Sequence, residues 1–208
     1  GVELEEILLP FPRRQQIPVH CLLDADAADS VHALLDRGGL ILGICNGFQA
    51  LVKSGLLPYG RLGQVTKDSP TLFRNDINRH ISQIVTTRVG TTNSPWLSGF
   101  AVGDLHTIAV SHGEGKFVVN EELAKELFAN GQVAFQYVDP LEEEPTMESP
   151  YNPNGSYYAI EGIISKNGQI LGKMGHTERY EGNLFKNIID EGLEQPLFDN
   201  AVAYFRGE

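Results

Sequence analysis

Cysteine is almost missing from this chain: its 208 residues hold two, Cys21 and Cys45. Two thiols far apart make no disulfide framework, and a reducing compartment suits a working thiol. No apolar stretch approaches the roughly 20 residues that a spanning helix needs, and the first residues lack the basic, apolar and small-residue succession of a signal peptide. The expectation is a cytoplasmic protein with no membrane contact. Positive charge is scarce, 16 Lys and Arg against 27 Asp and Glu, for a formal net charge of -11. That balance argues against a nucleic-acid partner, which needs clustered Lys and Arg. The six histidines do not fall at metal-ligand spacing, so no metal is expected, and no glycine loop followed by lysine offers a phosphate site.

What is there is organised around residues 39–58. Gly39-Leu40-Ile41-Leu42-Gly43-Ile44 is a short, continuous apolar run and reads as a buried strand of a parallel sheet. Cys45 closes it. Beyond, Phe48, Leu51, Val52 and Leu56 recur at helical spacing, and Gly55 with Pro58 supplies a stop. Gly43 and Gly47 flank Cys45 at minus two and plus two, the spacing of a nucleophile elbow, where the sharp turn demands small neighbours. A thiol at a helix N-terminus feels unpaired N–H groups that favour the thiolate. The competing reading is a core cysteine that packs as a small hydrophobe, and Cys21 fits that description better.

Elsewhere strands and helices alternate. Residues 1–28, with Pro10, Pro12 and Pro18, form an atypical N-terminal segment with a short strand near Val19–Leu23; residues 29–208 form one domain. Asp29 is the expected cap of a helix carrying Val31, Leu34 and Leu35, ended by Gly38-Gly39. Strands are expected around 81–89, 105–110 and 133–138, with a helix capped by Asn120 and ended by Asn130-Gly131 between the last two. Trp96, Leu97 and Phe100 should cover the core. The acidic, proline-bearing loop 139–154 reads as solvated and is assigned no chemistry. Residues 158–164 and 169–174 are apolar runs joined through Asn167-Gly168, a β-hairpin signal in the C-terminal third. Asn183 is read as the cap of a last helix with Leu184, Phe185, Ile188 and Ile189 on one side.

A thiol nucleophile needs a base, and the base a third group that fixes its tautomer. His176 and Glu178 meet this need, because residues two apart in an extended segment point the same way. The competing reading is a solvated local pair. His112 lies in the glycine-rich segment Ser111-His112-Gly113-Glu114-Gly115, where a role in binding or loop structure is as well supported as catalysis.

Gly43-Ile44-Cys45-Asn46-Gly47-Phe48-Gln49 together with His176-Thr177-Glu178 resembles the class I, triad-type glutamine amidotransferases. More narrowly, Ser111 to Gly115, Tyr151-Asn152-Pro153-Asn154-Gly155-Ser156, Ala159-Ile160-Glu161-Gly162-Ile163 and Gly172-Lys173-Met174-Gly175-His176 are similar to the glutaminase domain of phosphoribosylformylglycinamidine synthases of the large bacterial type. The likeness runs from about Asp29 to Phe205. It implies an open, mostly parallel, flavodoxin-like α/β sheet flanked by helices. It also implies a Cys45 glutamyl thioester, His176 and Glu178 as its catalytic partners, and Gln49, Ser111 and His112 as substrate-binding residues. Ammonia would pass to a synthetase domain or subunit that converts formylglycinamide ribonucleotide to the amidine in purine biosynthesis. ATP and magnesium would belong to that partner, with no cofactor in this domain.

One departure from the family pattern concerns the oxyanion. The backbone N–H of Asn46 is one donor; the family takes the second from an upstream Gly-Gly-Phe type loop, which residues 1–28 do not contain. Gly38-Gly39 opens the nucleophile strand and is in the wrong place. Losing one such donor costs roughly a hundred- to thousandfold in rate, so reduced turnover by this chain alone is expected. Two alternatives stay open: another class I amidotransferase or cysteine hydrolase, and a catalytically impaired docking module.

Overall fold

A computed structural model describes residues 25–179, 185 and 194–207. The strand expected near residues 19–23, Cys21, the Asn183 cap and most of the helix assigned to it lie outside them. Helix α1 spans Ala25–Asp36, so Asp29 sits inside it rather than at its cap. Strand β1 (Ile41–Ile44) follows, and Cys45 turns the chain into α2 (Asn46–Ser54), which ends at the left-handed Gly55. Strands β2 (Thr71–Phe73), β3 (Ile81–Val89), β4 (Leu105–His112) and β5 (Lys116–Val118) lead to α3 (Glu121–Ala129). The Asn120 side chain caps α3 by accepting from the Leu123 N–H at 2.8 Å. Strands β6 (Val133–Val138), β7 (Ile160–Ile164) and β8 (Ile170–Lys173) and helix α4 (Leu197–Arg206) complete the described chain.

Six strands form one sheet in the order β1-β8-β7-β6-β3-β4, flanked by helices, which is the expected α/β architecture. Among the described residues its pairing is mixed rather than mostly parallel. Only β1 and β8 run parallel, and the other four neighbouring pairs are antiparallel. For the β7–β8 pair connection length explains this: a tight turn with Gly168 at φ 73° joins the two strands, and so short a connection can only return the chain antiparallel. The β2–β5 ribbon is separate, and the sequence pattern does not reveal it.

Both sheet faces are covered. Alternation sends Ile163 and Ile170 into a core with Phe48, Leu51, Leu57, Phe117 and Leu127. The adjacent Ile164 and Leu171 face Trp96, Leu97, Phe135 and Leu197 on the other side. Helix α2 is therefore pinned against one face, and the C-terminal ends of β1 and β8 emerge together beside it. Residue 44 of β1 is in register with Lys173 of β8, so the segments that continue from them, Cys45 and Gly175-His176, begin side by side.

Candidate active site

Cys45 adopts φ 53°, ψ −106°, a conformation that L residues rarely occupy. It is held there from both sides. Its N–H donates to the Lys173 carbonyl at 2.8 Å, and its own carbonyl accepts from the Gln49 N–H at 3.2 Å, the first turn of α2. Gly43 is required: a Cβ there would sit 2.7 and 2.8 Å from the Gly47 carbonyl carbon and oxygen and would overlap the Leu51 side chain. Gly47 is not, since a Cβ on it would meet nothing within 4 Å. Of the two glycines expected to be obligatory, one is; helix α2 leaves open space over the other.

Cys45 is partly buried and packs beside the core without entering it. Its Sγ lies 3.8 Å from the Ser111 carbonyl oxygen, an acceptor for the protonated thiol. Burial pushes the thiol pKa up; the Asn46 N–H and the Arg179 guanidinium pull it down less strongly, and Glu178 adds to the rise. The helix terminus thus acts as expected but is outweighed by desolvation, and the thiol needs a base.

The base stands in the same cleft. His176 is buried, its N–H donates to the Ala109 carbonyl at 2.8 Å, and its Nδ1 lies 2.6 Å from Glu178 Oε1. With Nδ1 so engaged, Nε2 is the nitrogen left for the cleft, and it has no partner among the described residues. Cys45, Asn46, Gln49, Ser111, His112 and His176 all line this cleft of about 350 Å³, together with His80, Glu114 and Arg179, which the sequence pattern does not single out. Every expected site residue but Glu178 is part of the wall, and Glu178 lies behind the imidazole.

Three of these residues also build the wall. Gln49 Nε2 donates to the Glu114 carbonyl, which fixes the loop over α2. The Ser111 hydroxyl meets His80 Nε2 at 3.1 Å. His112 is turned into the interior, where Asn154 Nδ2 lies 3.0 Å from its Nε2 and also donates to the Gly115 carbonyl at 2.9 Å. Asn75 binds the same loop, donating to the His112 carbonyl at 2.8 Å and accepting from the Gly115 N–H at 3.2 Å. Burial first, then the neighbouring His176 and His80, lowers the His112 pKa to about 4, so the ring is neutral. Asn152 and Asn154 are buried and satisfied, which corrects the solvated reading of that end of the 139–154 loop. Polar residues clustered as Asn-Pro-Asn-Gly-Ser were the available signal. Among the described residues no cluster of His, Cys, Asp or Glu could hold a metal, and no helix is long and apolar enough to cross a membrane.

Residues 15–205 match the model of the CobB/CobQ-like glutamine amidotransferase domain. The chain is 38% identical over 168 residues to the phosphoribosylformylglycinamidine synthase subunit PurQ of Gloeobacter violaceus, covering 81% of this chain and 66% of that one. It is 37% identical over 176 residues to the subunit of the same name from Rhodopseudomonas palustris, covering 85% and 70%. The chain therefore spans about two thirds of the length of these relatives. Among solved structures, a chain of PurLQS from Thermotoga maritima superposes with a TM-score of 0.63 at 24% identity, over 90% of this chain and 72% of that one, a likeness of fold.

Proposed function

The chain belongs to the family of CobB/CobQ-like glutamine amidotransferase domains, and from that premise we propose that it is the glutaminase unit of a phosphoribosylformylglycinamidine synthase. The carrying observation is the convergence of Cys45, at its left-handed elbow, and His176, tied through Nδ1 to Glu178, on one cleft. The PurQ relatives support the choice of synthase.

In this reading Cys45 Sγ attacks the side-chain amide carbon of glutamine while the thiol proton passes to His176 Nε2. The negative charge that develops on the amide oxygen is met by the Asn46 N–H. As the C–N bond breaks, the imidazolium returns its proton to the leaving nitrogen, and ammonia departs from a glutamyl thioester. Water then attacks the thioester carbon, giving its proton to Nε2; the C–S bond breaks, the sulfur recovers a proton, and glutamate leaves. Glu178 holds the imidazole in one tautomer throughout. Gln49, Ser111 and His112 shape the substrate wall. The synthetase partner, with its own ATP and magnesium, would consume the ammonia to make the amidine, in a cytoplasmic purine-biosynthetic setting.

The test is Cys45→Ala in the complete synthase. Glutamine-dependent amidine formation should vanish while ammonia-dependent formation persists; loss of both to the same extent would refute the assignment. Mass spectrometry at Cys45 after exposure to a glutamine-analogue electrophile separates this reading from a cysteine hydrolase, which would stay unlabelled.

A further inference from the structure

Beneath the cleft, two charged side chains stand where strands β7 and β8 are otherwise apolar. Glu161 and Lys173 are fully buried, with Nζ and Oε1 3.9 Å apart. Taking both charges out of water costs more than so loose an ion pair returns, so their other contacts carry the explanation. Those contacts converge on the segment that bears His176. Glu161 Oε1 accepts from the Gly175 N–H, and Lys173 Nζ donates to the Gly175 carbonyl at 3.0 Å. The same ammonium donates to Thr177 Oγ1 at 3.1 Å and to Gln195 Oε1 at 2.8 Å, and Thr177 Oγ1 in turn donates to Gln195 Oε1 at 2.8 Å. Both chain neighbours of His176 are thus gripped from below. At its other end Lys173 offers its backbone carbonyl to the Cys45 N–H at 2.8 Å.

We propose that Lys173, braced by Glu161, is a positioning residue that sets His176 against Cys45: its carbonyl fixes the elbow, and its ammonium fixes the turn that delivers the imidazole. Gly175 completes the device. A Cβ there would lie 2.9 Å from both Glu161 Oε1 and Ile108, so the close grip on its two polar backbone atoms requires glycine. The inference rests on the reading of Cys45 as nucleophile and His176 as base. It adds two residues that touch neither substrate nor sulfur side chain.

The experiment replaces both partners, Lys173→Met with Glu161→Gln, so that no buried charge is stranded. Two quantities are measured on the full chain with its synthetase partner: glutaminase kcat and KM, and the ring nitrogen resonances of His176. A misplaced base lowers kcat, by about a hundredfold for a displacement near 1 Å, and leaves KM for glutamine unchanged. The His176 resonances should move as well. Unchanged kcat and unmoved resonances in a folded double variant would overturn the proposal. If the wild-type chain releases no glutamate, the functional reading falls, and the resonances alone still decide the positioning role. If the double variant does not fold, Thr177→Val removes one of the ties without touching a charge. A smaller kcat loss with moved resonances supports the grip, and an unaltered profile refutes it.

Discussion

Glu178 Oε1 sits 2.6 Å from His176 Nδ1, yet the two partners differ in environment: the imidazole is 8% exposed and the carboxylate 44%. The pair is a buried base steadied by a half-solvated anion, with the Arg179 Nε 3.8 Å from the same oxygen. Solvent screens much of the charge, so what Glu178 supplies is chiefly tautomer and orientation.

Glu178→Gln should therefore lower glutaminase kcat by about 10²-fold, the lower end of the range for general acid–base groups, with little change in KM. Steady-state glutamate release measures it. A loss below tenfold would mean that the His176 ring is oriented by its surroundings without Glu178.

His112 makes the fold sensitive to acid. Its pKa falls from 6.5 in the unfolded chain to about 4 in the native one, so between these values the unfolded state binds more protons. Stability is complete above pH 6.5, declines as pH drops toward 4, and the loss approaches about 3 kcal/mol below that. Urea unfolding at pH 7.5, 6 and 5 should show this decline. His112→Gln should be less stable at pH 7.5 and less dependent on pH across the window, and an equal slope would exclude His112 as the source.

The two elbow glycines should respond oppositely to alanine. Gly43→Ala forces a methyl into the Gly47 backbone and Leu51, an overpacking that costs about 1–3 kcal/mol. Gly47→Ala adds a methyl in open space within α2, where the gain in helix propensity is about 0.5–1 kcal/mol. Denaturant midpoints for the two variants test the contrast.

How much of this was legible before the structure depends on the span of each interaction. The elbow is local: a short apolar strand, Gly43, Cys45 and the helical spacing of Phe48, Leu51 and Val52 announce it in one window. His176 and Glu178 are also local, two residues apart. The wall around His112 is not, because Asn75 and Asn154 reach it across 37 and 42 positions of the chain. Within the 139–154 loop the Asn152-Pro153-Asn154 cluster is the one sign that separates its buried end from its acidic, solvated start. The expectation of a mostly parallel sheet leans on β1, a continuous apolar run, and among the described residues the β1–β8 pair alone is parallel. Glu161 and Lys173 left a signal in the sequence: one charge inside each of two apolar strands joined by a hairpin, which marks a buried pair.

Thiol reactivity provides the sharpest test of the electrostatics, because two neighbours act on Cys45 with opposite sign. The Arg179 guanidinium lowers its pKa and the Glu178 carboxylate raises it, both against a larger rise from burial. Removing the cation by Arg179→Gln should shift the pH–rate curve for alkylation by iodoacetamide upward in pH and slow the reaction at pH 7.5, because less thiolate is present. Removing the anion by Glu178→Gln should shift the curve downward in pH. Curves measured with the folded wild-type chain and both variants at one ionic strength decide the matter. Shifts of the same sign would show that access to the cleft, rather than charge, governs the sulfur, and the thiolate balance derived from burial, Arg179 and Glu178 would have to be given up.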